Sequence, residues 1–209
     1  IIASTPAVGD VNGDGTPEIV VGGTDGAVHV WRLDGTPLTT LWPNATSGLV
    51  VASPVIVDLN GDGYRDIVAV SGDGRVYAWR GDGWPLPGFP VRLPGNVIAS
   101  PVVADLRRDG QLEIVVATLT GRVYVLHADG SIMFGWPQVV NAPIYGSPTV
   151  ADLDGDVDQE IIVGGLDGKV RAWHDDGYEW NSGAMPWTEW PKVTPDWVVG
   201  APAIGDLDQ

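Results

Sequence analysis

A chain that repeats one pattern about every 47 residues must fold as like units packed on one another, and here that repeat governs every other reading. Its start recurs five times, as Thr5-Pro6, Ser53-Pro54, Ser100-Pro101, Ser147-Pro148 and Ala201-Pro202. Each copy then crosses three apolar or small residues to reach Asp10, Asp58, Asp105, Asp152 or Asp206. The prolines are spaced by 48, 47, 47 and 54 residues, the last step stretched by a Trp-rich insertion around residues 180–190.

Within a repeat, the aspartate opens a Gly/Asp-rich loop, and an apolar strand follows at 18–21, 66–70, 113–116 and 160–163. A turn around Gly26, Gly74, Gly121 or Gly168 leads to a third strand at 28–31, 76–79, 123–126 or 170–173. Glycine there supplies the positive φ of a tight hairpin. The repeat ends at Trp42-Pro43, Phe89-Pro90, Trp136-Pro137 or Trp190-Pro191, where proline suits an edge strand. Three to four antiparallel strands per repeat, with no helical period, predict an all-β chain built of β-propeller blades. The second strand is apolar on both faces, so it should lie sandwiched between neighbouring blades. A stacked solenoid is the competing architecture, but its repeats usually run to about 20–30 residues. The expected division is one propeller region over 1–209, with blades at about 1–48, 49–96, 97–143 and 144–198 and a further repeat starting at 199–209.

Apolar residues make up 44% of the chain and charged residues 18%, which excludes wholesale disorder. A net charge of −16 argues against nucleic acid and against an anionic membrane surface, and suits cations. Cysteine is absent, excluding disulfides, zinc–thiolate sites and thiol nucleophiles. No apolar run approaches the roughly 20 residues of a membrane span. The chain begins at Ile1 without a leader, which reads as a processed chain or a piece of a longer one.

Roughly half of the 27 acidic residues sit in the loops after the first strands. The first loop places Asp10, Asn12, Asp14 and Glu18 at positions 1, 3, 5 and 9, with Gly15 at position 6. Calcium takes six to eight oxygens, and alternate residues of a tight loop can aim theirs inward. The carbonyl of Thr16 at position 7 can add another. Asp58, Asn60, Asp62, Tyr64 and Asp66 repeat the pattern. Turn chemistry alone favours Asp and Gly, but it does not require several carboxylates within nine residues, whose repulsion needs a counter-ion. The third loop carries Arg107 at position 3, which cannot ligate a cation and is expected to pair with Asp105 and Asp109 instead. The fourth keeps Asp152, Asp154, Asp156, Asp158 and Glu160 but has Val157 in place of the glycine, so calcium is expected there with altered geometry.

This Asp-x-Asn-x-Asp-Gly-x-x-Asp/Glu loop between two strands resembles the FG-GAP (or VCBS) repeat of integrin α-subunit propellers and many secreted bacterial proteins. The run from Asp73 to Trp79 also resembles quinoprotein-like blades. The FG-GAP resemblance implies Ca2+ at the first two loops, secretion or surface display, and a role in adhesion. It also implies a ring of seven or eight blades, of which four would be a fragment or a half. Further blades of the same parent chain or a second copy would then cover the bare blade faces.

The remaining motifs read as structural. Arg80-Gly81-Asp82 spells an integrin-recognised tripeptide, but it is one variant of the turn that carries Arg32-Leu33-Asp34 elsewhere. Asn44-Ala45-Thr46 is a glycosylation sequon. Trp31, Trp79 and Trp173 share one repeat position with Leu126, which suits blade packing. Trp180, Trp187, Trp190 and Trp197 form a cluster that could stack on a sugar. His127 and His174 occupy a solvated turn slot shared with Arg32 and Arg80, and no catalytic signature is present. The reading is a non-enzymatic, calcium-binding scaffold with protein or glycan partners at the cell surface. The alternative is a carbohydrate-binding propeller, lectin-like or accessory to a polysaccharide lyase or hydrolase.

Overall fold

The computed structural model describes residues 1–180 and 190–205. Among them there is no helix, and sixteen strands form four separate four-stranded antiparallel sheets. The first sheet is a meander of β1 (Ala7–Gly9), β2 (Glu18–Gly22), β3 (Ala27–Trp31) and β4 (Asn44–Ala45). The pattern recurs in β5 to β8 (Val55–Val57, Asp66–Ser71, Arg75–Arg80, Val91–Arg92) and in β9 to β12 (Val102–Ala104, Glu113–Ala117, Arg122–Leu126, Gln138–Val139). The fourth sheet comprises β13 to β16 (Thr149–Ala151, Glu160–Gly165, Lys169–Trp173, Lys192–Val193). These are propeller blades.

The apolar second strands explain why the sheets face one another. Successive side chains of a strand point to opposite faces, and both faces of β6 and β10 are buried. Ile67 and Ala69 pack toward the first blade, whereas Val68 and Val70 pack toward the third. Ile114 and Val116 face back to the second blade, and Val115 and Ala117 face on to the fourth. The core is therefore three layers between blades. Trp79 and Trp173 are buried in such layers, but Trp31 lies outside them and is only half-buried, stacked on His29.

Two devices fix neighbouring blades that the repeat alone did not reveal. Just before the first strand of each blade, the Thr5 N–H donates to the Ser53 hydroxyl, Ser53 N–H to Ser100 and Ser100 N–H to Ser147, at 2.9–3.1 Å. At the outer rim, the indole N–H of Trp42 donates to the Gly81 carbonyl and that of Trp136 to the Asp175 carbonyl, at 3.0 and 2.8 Å. The rim also corrects the strand expectation. The Trp-Pro and Phe-Pro pairs, all cis, precede the outermost strand, which is the two residues after the proline in each blade.

Candidate metal loops

The acidic loops connect first to second strands, and registers Gly9↔Glu18, Val57↔Asp66, Ala104↔Glu113 and Ala151↔Glu160 set their mouths. The residue at position 2 is apolar and drops between blades: Val11, Leu59 and Leu106 are buried. These three loops are thus each anchored by a side chain in the core, whereas Leu153 at the same position of the fourth is only half-buried. The ninth position is the other anchor. Glu18, Asp66, Glu113 and Glu160 are all buried, and each accepts the N–H of the position-2 residue at 2.7–3.1 Å.

Above that clamp, the position-1 carboxylate organises the turn. Asp10 accepts N–H groups of Gly13, Asp14 and Gly15. Asp58 accepts those of Asp62 and Gly63. Asn12 and Asn60 donate their amides to Asp14 and Asp62 at 2.9 and 3.1 Å. The Thr16 hydroxyl and the Asn12 amide hold the Asp14 carboxyl below its usual range. This much is turn chemistry, and a carboxylate oxygen keeps a second lone pair after accepting one hydrogen bond. The sequence signal singled out glycine at position 6, but the backbone demands two left-handed residues. Gly13, Gly61, Gly155 and Arg108 at position 4 all have positive φ, as do Gly15, Gly63, Gly110 and Val157 at position 6. Val157 does not relax the loop; it adopts the glycine conformation, with φ of 91°.

The second loop supplies the observation that turn chemistry leaves over. Asp66 is fully buried, and its Oδ1 has no hydrogen-bond partner. Burial, reinforced by the charges of Asp62 and Asp58, pushes its carboxyl up to about 6. A buried anion facing two more anions with one oxygen unpaired fits a cation, to which Asp58, Asn60, Asp62 and Asp66 would contribute. Asp66 pairs with Arg80 across β6 and β7, yet that guanidinium turns to Asp82 at 2.8 Å.

The third loop overturns one expectation. Arg107 does not pair with Asp105 or Asp109; its Nε donates to Asp175 of the next blade at 2.5 Å. The loop's own backbone explains this, because Asp105 accepts N–H groups of Asp109 and Gly110, and Asp109 that of Gln111. A second correction concerns the histidines. Rather than standing in a solvated slot, His174 is half-buried with Nδ1 3.1 Å from Glu160, and His127 lies 3.6 Å from Glu113. Burial pushes both glutamate carboxyls up.

The fourth loop gathers Asp152, Asp154 and Glu160 within 4.8 Å of one another, and Asp154, Asp156 and His174 likewise. Asp158 donates its N–H to Asp156 at 3.1 Å. Thr16 and Tyr64 sit at position 7 with their N–H groups on Asp14 and Asp62. In Arg80-Gly81-Asp82 the guanidinium pairs with Asp82 and the Gly81 carbonyl accepts the Trp42 indole N–H. The sequon Asn44 donates its amide to the Gly83 carbonyl. Trp180 and Trp190 pack edge to face, Trp197 is exposed, and Trp187 and Asp206 lie outside the described residues.

The FG-GAP-like repeat model matches the chain twice, over residues 10–69 and 58–116. No curated protein matches it. Solved structures resemble it in fold. BBS1N in complex with ARL6DN is 16% identical at a TM-score of 0.60, covering 96% of this chain and 57% of that one. BamB from Moraxella catarrhalis is 17% identical at 0.59, covering 83% and 47%. The computationally designed Ika4 protein is 18% identical at 0.61, covering 83% and 91%. The chain thus spans about half the length of the BBS1N and BamB chains.

Proposed function

This chain belongs to the FG-GAP-like repeat family, and on that premise we propose that it is a calcium-stabilised, non-enzymatic propeller scaffold of a secreted or cell-surface protein. Its blades present a surface to a protein partner. The observation that carries the calcium reading is the buried, unpartnered Oδ1 of Asp66 beneath Asp58 and Asp62. The first loop has the same residues at positions 1, 3, 5 and 6 and a buried glutamate at position 9, so it takes a second ion. Calcium supplies two positive charges where the folded chain otherwise holds several carboxylates together, and it stabilises by binding the folded state alone. The ions sit where each loop's anchor enters the layer between blades, so they also fix the orientation of one blade to the next. The scaffold reading draws on a propeller fold shared with BBS1N, which was crystallised in complex with ARL6DN.

Melting of the chain in excess calcium and in excess chelator tests the reading. A midpoint raised by calcium, with about two ions bound by calorimetry, is expected. An unchanged midpoint would remove the metal from the account.

A further inference from the structure

At the end of each third strand the repeat carries Arg32, Arg80, His127 and His174 in turn. A guanidinium offers a cation no lone pair, whereas a neutral imidazole does. His127 belongs to the repeat whose loop holds Arg107 at position 3. Only in the fourth repeat does an imidazole meet a loop with carboxylates at positions 1, 3 and 5.

There a ring nitrogen of His174 and carboxylate oxygens of Asp154 and Asp156 all lie within 4.8 Å of one another. His174 arrives from the end of β15, fourteen residues beyond Glu160, so the group combines two separate elements of the blade. Its ring is also oriented. Nδ1 lies 3.1 Å from Oε1 of the fully buried Glu160, whose other oxygen is fixed by the Leu153 N–H at 2.7 Å. In the tautomer that donates Nδ1–H to that carboxylate, Nε2 keeps its lone pair for a cation. A buried carboxylate behind an imidazole is how proteins set the tautomer and aim of a metal-binding histidine.

The geometry points to a transition-metal site at the fourth loop, in which Asp154, Asp156 and His174 hold a borderline divalent cation such as zinc. Calcium takes six to eight oxygens and has little use for nitrogen. Zinc takes imidazole and carboxylate together at about 2.0–2.2 Å in four-coordinate geometry, with water completing the set. Asp154 and Asp156 are exposed, and the three ligand atoms already lie within 4.8 Å of one another. The chain therefore sorts two kinds of cation: oxygen-only loops in the first two repeats and a nitrogen-containing loop in the fourth. This inference does not depend on calcium binding at the first two loops.

The test is a zinc titration of the intact chain in saturating calcium, followed by calorimetry, with cobalt absorption reporting the ligand field. One zinc per chain is expected, retained by His29→Gln and His127→Gln and weakened at least about tenfold by His174→Gln. The calcium-dependent melting shift should persist in His174→Gln, so the two readings fail separately. No zinc uptake by the parent chain, undiminished uptake by His174→Gln, or loss tracking His29 or His127 would each overturn the site. Should His174→Gln not fold by circular dichroism, Asp156→Asn at an exposed position decides instead: weakened zinc supports the site, and unchanged zinc overturns it.

Discussion

Substituting Asp66→Asn should stabilise the chain in chelator and lose most of that advantage when calcium is added. The Asp66 carboxyl is raised from 3.8 to about 6, first by burial and then by the charges of Asp62 and Asp58. An acid whose folded value lies above its unfolded one favours the fold when protonated. Without a cation, then, stability is greatest below about pH 4, declines as pH rises through 6, and is lowest above it. Two units correspond to about 3 kcal/mol at pH 7, an upper figure for a fully buried group. Asparagine removes that penalty while its side-chain oxygen can still accept the Leu59 N–H. In chelator at pH 7 the variant should be more stable than the parent by up to about 3 kcal/mol, or several degrees in a chain of this size. In calcium at a hundred times its dissociation constant the parent gains about 2.7 kcal/mol. The variant, short of one charged ligand, gains less, so the difference closes or reverses. Denaturant unfolding at pH 4, 6 and 7.5, with and without calcium, reads all of this. A variant equally destabilised in every condition would refute the reasoning, as would a parent chain in chelator whose stability does not fall between pH 4 and 6.

Three further outcomes follow from the packing. Val157→Gly should be neutral to stabilising by up to about 1 kcal/mol in urea, because relief of a left-handed β-branched residue outweighs glycine's extra unfolded-state freedom; a clear loss would mean that Val157 packs usefully. Ser100→Ala leaves the Ser53 N–H without its acceptor and should cost about 1–2 kcal/mol by the same assay, whereas the exposed Ser131→Ala should cost much less. Trp136→Phe removes the indole bond to the Asp175 carbonyl and should cost about 1 kcal/mol beyond any loss of packing. Phe89 already fills that repeat position in the second blade, so the variant should remain folded.

The blade was legible because a strand buried on both faces cannot alternate, and the runs at 66–70, 113–116 and 160–163 do not alternate. The loops were legible as tight turns because Asp opens each one and Gly recurs inside it at position 4 or 6. What escaped was whatever depends on the distance between blades. Arg107 carries a long side chain, and sequence proximity made Asp105 and Asp109 its obvious partners. The loop's own N–H groups had already claimed both, and Asp175, 68 residues on, lay within reach. The serine ladder was visible as a repeated Ser-Pro yet mute about its role, because its hydrogen bonds join residues 47 or 48 apart. The signal that could have found the histidine–glutamate contacts was present: His127 and His174 each follow their loop's ninth residue by fourteen positions.

The same comparison shows how repeats diverge without losing the fold. Each loop is held at its base by the carboxylate at position 9 accepting the N–H of the residue at position 2, which is buried in the first three loops and half-buried in the fourth; in the second loop that carboxylate keeps its other oxygen for the proposed cation. With the base secured, the crown of the loop is free to vary. The third repeat uses that freedom to send Arg107 to the next blade, and the fourth to bring an imidazole beside its acids. On the proposed sites, the choice between cations then rests on a few exposed crown positions and on one residue at the end of the third strand, while the position-9 carboxylate is common to all four loops. Exchanging only those positions between the second and fourth repeats should exchange cation preference and leave the inter-blade core intact. Preference that stayed with the buried base would place the selectivity in the wrong part of the loop.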